Sequence, residues 1–369
     1  MKAAAWRVAG ALLGGLLLHV ALAQPLVRVL LEQHDGTAQV TFDGPHRGAI
    51  DGRPFSTPFG LTWPIEVRGD RLYMEGRDIG RQLDLAPETG LLRFEGRRYR
   101  GTLRLVAADG RLMAVNVLDL ESYLRGVVPS EMQASWPMEA LKAQAVAART
   151  YTLVNVAHDS LYDVCATTDC QVYRGVEAEH PRSDQAIAET GGLVLTYDGG
   201  FARTYYHADS GGVIASSGEV WGMTLPYLQA FQDVAATGPH RRWEARLEPA
   251  VVAASLAALG RSVGPVRRVR VLAVSESGRV ARLEVTGDAG SSVLEGNVAR
   301  TQARAWGLKS TRFVMTGDLH VRGEGWGHGV GMSQYGARQL ALSGHGFAQI
   351  LGFYYPHTAM QRVASVAQH

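Results

Sequence analysis

Lysine is almost missing from this chain: only Lys2, Lys142 and Lys309 occur among 37 basic residues, and arginine fills every other cationic position. A lysine kept in such a background points to a need for a compact ammonium group that a guanidinium does not imitate. Net charge is also missing. Setting aside Lys2 and Arg7 leaves 35 basic against 35 acidic residues. That balance excludes a global field able to recruit nucleic acid or anionic lipid, so no nucleic-acid partner is expected. The ligand should instead be found through a local cleft, as a neutral sugar polymer would be. No apolar run after residue 23 is long enough to cross a bilayer. There is no low-complexity linker and no internal repeat. A Gly-x-Ser-x-Gly nucleophile elbow is absent, the histidines are dispersed, and neither a phosphate loop nor a dinucleotide fingerprint is found. Cysteine is down to two residues, Cys165 and Cys170.

What is present falls into blocks. Lys2 and Arg7 precede an almost wholly apolar stretch, Val8 to Val20, closed by Ala21-Leu22-Ala23. This is the pattern of a cleaved signal peptide over residues 1–23, with a retained anchor as the rival reading. Either way the rest of the chain is expected outside the cytoplasm, periplasmic or cell-wall associated. Residues 24–118 read as a β-rich region. Val27–Leu31, Ala38–Phe42, Ile65–Arg68 and Leu103–Val106 alternate as short strands, punctuated by Asp-Gly turns at 35–36, 43–44, 51–52 and 109–110. The first part of a core spans 119–240. In it Asp119 caps a helix from Leu120 to Val127, the chain breaks at Pro129–Met132, and an alanine-rich helix runs from Pro137 to Val156 with cap and first-turn chemistry from Ser135 and Pro137. Residues 241–313 read as a smaller α/β insert: a helix near Pro249 to Leu259, then strands Val266–Val274 and Val280–Val285. The core returns over 314–360 with a glycine-rich loop and one or two helices. The fold class is therefore α+β.

The densest chemistry lies in Tyr123-Leu-Arg-Gly-Val-Val-Pro-Ser-Glu-Met132 and the helix after it. Lys142 and Arg149 sit seven residues apart on one helix face, with Glu131 in the break before that helix, near Trp136. Burial would raise the pKa of Glu131 and neighbouring cations would lower it. The residues alone leave open whether Glu131 is an acid catalyst or a carboxylate paired with Arg149. Gly325-Trp-Gly-His-Gly-Val-Gly331 sets His328 among alternating glycines, either tied to the backbone in tight packing or turned to a ligand. Ser210-Gly211-Gly212, beside His207, carries the same two readings.

These segments, in order, resemble the SpoIID/LytB family, named for stage II sporulation protein D and an amidase enhancer. The likeness continues through Cys170-Gln-Val-Tyr-Arg-Gly175, Thr190–Tyr197, Tyr205-Tyr-His-Ala-Asp-Ser-Gly-Gly212, Val220-Trp-Gly222, Pro226–Leu228, Gly325–Ala337 and Tyr354-Tyr-Pro356. The resemblance implies a lytic transglycosylase that cuts peptidoglycan glycan strands between N-acetylmuramic acid and N-acetylglucosamine, on strands stripped of stem peptides. It leaves 1,6-anhydro ends. The resemblance puts the catalytic glutamate on Glu131. Substrate contacts would come from Lys142, Arg149 and Tyr206 (Tyr205 being the neighbouring choice), with His328 and Ser210 as further candidates. One carboxyl suffices for that reaction, because the C6 hydroxyl of the sugar is the nucleophile and the same group serves as acid and then base. No cofactor is required. Some family members hold zinc with a His-Cys-Cys set, which would fall on His158, Cys165 and Cys170. A Cys165–Cys170 disulfide and free thiols are the other readings. The partners implied are peptidoglycan glycan strands and, on the LytB branch, a cell-wall amidase that a non-catalytic protein would enhance.

Overall fold

A computed structural model describes residues 25–363 except 43, 58–61 and 158. The proposed signal peptide and His158 lie outside the described residues. Seven strands form one sheet in the edge-to-edge order Val164–Cys165, Leu26–His34, Arg111–Asp119, Thr102–Ala108, Gln82–Pro87, His46–Ile50, Arg53–Thr57. Every neighbouring pair is antiparallel except Val164–Cys165, which runs parallel to Leu26–His34. A six-stranded sheet, ordered Arg97–Tyr99, Leu92–Phe94, Thr37–Phe42, Thr62–Arg68, Arg71–Met74, Arg77–Asp78, faces it. Alternation turns Val27, Leu83 and Leu103 of the first sheet and Val40, Ile65 and Phe94 of the second into one shared core. The Asp-Gly turns do what their chemistry allows: Asp51 and Gly52 have φ of 47° and 80°, Asp109 and Gly110 51° and 73°. Both residues of each pair are left-handed, as a two-residue hairpin requires.

Helix α1 (Leu120–Glu131) starts at Asp119, whose side chain accepts from Ser122 N, and runs on past Val127 with Pro129 inside it. The expected break at Pro129 is corrected. A proline in the last turn forfeits only its own N–H, and Ser130 Oγ donates to Gly126 O at 2.7 Å to steady that turn. Helix α2 (Met138–Asn155) follows, with Pro137 as its cap position and no side-chain cap bond, so Ser135 does not cap it. Ala140, Ala143, Ala145, Ala147 and Ala148 are all fully buried. Their small side chains let α1, helix α3 (Pro181–Glu189), strand Leu193–Tyr197 and two C-terminal helices crowd around α2.

A second core, drawing on Trp243, Leu256, Val269, Leu283, Leu294, Ala303 and Val321, belongs to the stretch between residues 243 and 321. It joins helices α4 (Pro249–Ala258) and α5 (Gly296–Ala305) to the antiparallel sheet Val266–Val274, Val280–Gly287, Gly290–Glu295. This lobe is fastened to the first. Trp243 Nε1 donates to Gly325 O at 2.8 Å, and the buried Arg279 donates to the carbonyls of His328 (3.2 Å) and Ser210 (3.3 Å). The chain then returns to pair Met332–Ser333 with Tyr206–His207 in parallel and closes with α6 (Gln334–Leu342) and α7 (Phe347–Tyr354). The architecture is α+β with a β-rich N-terminal region. No helix among the described residues is long and apolar enough to cross a membrane.

Candidate active site

One cavity of about 570 Å³ lies where the two lobes meet, and Glu131, Tyr151, Tyr206, His328, Trp326 and Gln334 are among its lining residues. Glu131 ends α1, so its side chain leaves the helix at the cavity wall. Oε1 accepts the backbone N–H of Val172 at 2.8 Å and Oε2 accepts Gln334 Nε2 at 3.1 Å. Burial raises the pKa of this carboxyl above the ordinary range. The Val172 and Gln334 donors, and then the charge of Arg174, pull it back only in part. The contest that residues alone left open is thus won by desolvation, and both direct partners are neutral amides.

Two tyrosines and a glutamine frame the carboxyl. Tyr206 donates its hydroxyl to Gln171 Oε1 at 2.8 Å, while Gln171 Nε2 donates to Thr152 Oγ1 at 2.8 Å and to Tyr123 OH at 3.3 Å. Tyr151 also faces the cavity, and burial pushes its phenol up to about 12, so it stays neutral. Gln171 and Val172 both follow Cys170 directly, and the Cys165–Cys170 disulfide ties the start of that segment. With both sulfurs bonded to each other there is no thiolate to offer a metal. Of the readings left open for these cysteines, the structure shows the disulfide. Among the described residues no cluster of three His, Cys, Asp or Glu side chains is placed to hold a metal ion. The zinc set does not fit these paired sulfurs.

Another part of the lining is aromatic. Trp221 lies 4.4 Å from Tyr205 and 5.1 Å from His328 between ring centroids, and Trp326 is 47% exposed. His328 belongs to this wall rather than to proton transfer. Its Nδ1 accepts from Val330 N at 3.1 Å, so the proton sits on Nε2, which donates to Tyr206 O at 2.9 Å. With both nitrogens occupied and the ring enclosed, burial drops its pKa to about 3, so it is neutral at physiological pH. The glycines around it are needed for close approach. A Cβ on Gly331 (φ 70°) would stand 2.0 Å from Tyr205 O, and one on Gly329 (φ 86°) would meet Arg279 Nη2.

Three expected substrate contacts fall elsewhere. Arg149 is fully buried on the far side of α2, donating to both oxygens of Glu121 at 2.7 and 2.8 Å and to the carbonyls of Leu193 and Ile187. Lys142 on the same face binds Glu139 at 3.0 Å and Glu189 at 2.7 Å. That face packs against α3, whereas Tyr151, about 200° further round the helix, lines the cavity. Neither cation touches Glu131, which is why its acid form is not suppressed. Ser210 is buried and donates to Asp233 Oδ2 at 2.6 Å, a turn contact and not a cavity wall. The residues that were missed, Tyr151, Gln171 and Gln334, had a signal. Gln144 and Tyr151, i and i+7, form a polar and aromatic stripe amid the alanines, and Gln144 Oε1 lies 3.5 Å from Gln334 Nε2.

Comparison with known proteins finds two family models and several relatives. The family described as Stage II sporulation protein matches residues 108–197, and a domain of unknown function matches residues 233–331. An uncharacterized protein of Brachyspira hyodysenteriae is 31% identical over 268 residues, covering 71% of this chain and 72% of that one. The amidase enhancer of Bacillus subtilis is 30% identical over 357 residues, covering 82% of this chain but only 50% of the enhancer, so this chain spans half of that relative. Stage II sporulation protein D of Bacillus subtilis is 29% identical over 272 residues, covering 66% of this chain and 75% of that relative. The matched segment 108–197 carries Glu131, Tyr151, Gln171 and Val172, and relatives at about 30% identity, stage II sporulation protein D among them, extend the likeness over most of the chain; it belongs to the SpoIID family.

Proposed function

We propose that this protein is an exported lytic transglycosylase of the bacterial cell wall, with Glu131 as its acid and base. The observation that carries the reading is a single enclosed carboxyl whose only hydrogen-bond partners among the described residues are amide N–H groups, set in a cavity also lined by the half-buried Trp221 and the exposed Trp326. A carboxyl whose acid form is favoured by burial is what the first step needs. Glu131 gives its proton to the glycosidic oxygen between N-acetylmuramic acid and N-acetylglucosamine as the C1–O bond breaks. The C6 hydroxyl of the muramoyl residue then closes on C1, and the carboxylate takes its proton back. The products are a 1,6-anhydro end and a free 4-hydroxyl, with Glu131 restored. Tyr206 and Tyr151, both un-ionised, offer hydroxyls to the sugar near that carboxyl. Trp221 and Trp326 present flat faces to pyranose rings. Residues 1–23 would carry the chain out of the cytoplasm.

Incubation with peptide-free glycan tests this by mass spectrometry. Wild-type protein should release anhydro-muramic ends and Glu131→Ala, folded normally, should release none. Cleavage by the variant, or reducing ends from the wild type, removes Glu131 from the role. A second reading rests on the likeness to the amidase enhancer over 82% of this chain. In it the cavity binds glycan without cutting it and promotes an N-acetylmuramoyl-L-alanine amidase; products appearing only after that amidase is added would favour it.

A further inference from the structure

The second lobe brings three cations to the cavity that the acid chemistry does not use: Arg300, Arg304 and Lys309. Against them the lining carries Glu131, held toward its neutral form, and Asp169. Arg300 and Arg304 stand one turn apart on α5, so like charges share one face and repel. Asp169 answers only Arg304, at 2.5 Å, with Thr168 Oγ1 as a second acceptor at 2.9 Å. Arg300 is steadied by the side-chain oxygen of Asn297, which accepts from Nε at 3.0 Å and Nη2 at 2.8 Å but brings no charge. Lys309 has its ammonium 3.2 Å from His240 Nδ1 and 5.6 Å from the centroid of Trp326, again with no anion. Among the described residues neither Arg300 nor Lys309 has a carboxylate within ion-pair reach. Burial, and then the charge of Arg304, weigh against the ionised form of Arg300. Lys309 is held in place from its own backbone, where its carbonyl accepts Gly327 N at 2.8 Å. It is also one of only three lysines in the chain.

A polymer of neutral sugars gives these cations nothing to bind. Muramic acid does: its lactyl ether ends in a carboxyl group that is a free anion when no stem peptide is attached and an uncharged amide when one is. We propose that the second lobe supplies a carboxylate subsite, in which Arg300 and Lys309, which line the cavity together with Trp326, bind the free lactyl carboxylate of a muramoyl residue while the sugar ring lies against the indole. The subsite rests on the transglycosylase reading for its substrate but not for its own physical basis. It gives the otherwise unexplained lobe a role, which is to sense whether a strand has lost its peptides, at a place separate from Glu131.

The test is binding, read by calorimetry on the full chain carrying Glu131→Gln so that no turnover intrudes. The probes are a peptide-free glycan oligosaccharide, the same oligosaccharide with its lactyl carboxyls converted to methylamides, and a peptide-bearing strand whose only carboxylates lie on the peptide. Losing one charge-assisted contact should weaken binding about tenfold. The free acid should therefore bind about tenfold more tightly than the methylamide, and the peptide-bearing strand should behave like the methylamide. Adding R300Q and K309Q should abolish that preference with an unchanged melting temperature, and adding R300K and K309R instead should keep it. Equal affinity for acid and amide, a preference surviving R300Q/K309Q, or a peptide-bearing strand binding as tightly as the free acid would each overturn the subsite. Preference for the free acid by a wild-type protein that yields no anhydro ends would sustain the subsite and sink the transglycosylase reading.

Discussion

Replacing Gln334 by leucine removes one of the two donors that favour the ionised form of Glu131. Gln334 Nε2 donates to Oε2 at 3.1 Å, and Val172 N donates to Oε1 at 2.8 Å and is untouched by the change. A hydrogen bond to a charged group contributes about 1.5–3 kcal/mol, and part of it survives to the protonated acid. A differential of about 1.4 kcal/mol is one pH unit. Since the lost donor favours the carboxylate, its removal raises an already raised pKa by about one unit. In the proposed mechanism the acid form starts the reaction, so activity should fall as pH rises through this pKa. In Gln334→Leu that fall should come about one unit later. Little else is disturbed. The contact to Gln144 is long, at 3.5 Å, and Gln144 Nε2 already lacks a partner. The cost in stability should be about 1 kcal/mol. The assay is release of anhydro ends from peptide-free glycan across pH, with denaturant midpoints measured in parallel. An alkaline limb that stays where it was, or moves down, in a folded variant would refute the reasoning.

Arg149→Met should destabilise the fold by about 3–5 kcal/mol, because Glu121 is left partly buried without its partner, while activity per folded molecule stays within a factor of two; denaturant unfolding with active-fraction normalisation checks both. Reducing Cys165–Cys170, which closes a loop with a sequence separation of 5, should cost about 2 kcal/mol. Thiol titration of the unfolded, unreduced chain should find no free thiol, and stoichiometric zinc in the purified protein would overturn the disulfide. For His328 the folded pKa of about 3 lies below the ordinary value of 6.5. The neutral ring therefore contributes stability that is present above pH 6.5 and is lost as pH falls toward 3. The difference in stability between wild type and His328→Asn should shrink across that window, and a difference independent of pH would contradict it.

The parts of the molecule legible in the sequence are those governed by local rules. Leu26–His34, Thr37–Phe42 and Thr102–Ala108 show themselves by alternation, α2 by its alanines, and Pro249–Ala258 by proline at its start. Arg97–Tyr99 and Leu92–Phe94 do not, because strands of three residues have too few positions to alternate and are held by pairing. Glu131 is legible as a residue but not as an environment. Burial raises its pKa, and the donors that partly offset this, Val172 and Gln334, stand at separations of 41 and 203 residues, which no window of sequence contains. The reverse holds for Arg149. Its spacing from Lys142 is a true helix face, yet periodicity does not say what that face meets, and it meets α3 and Glu121. Lys309 stood out only by rarity; its neighbours His240 and Trp326 come from two other segments.

The pairing of Tyr206–His207 with Met332–Ser333 delivers Gln334 to a carboxyl laid down two hundred residues earlier. A chain still emerging, or cut short before this return, has Glu131 but not the amide that tunes it, nor the Trp326 that lines the same cavity. Competence therefore arrives with the final segment. If the proposed function holds and the protein severs a load-bearing polymer, late completion would serve as its own safety catch.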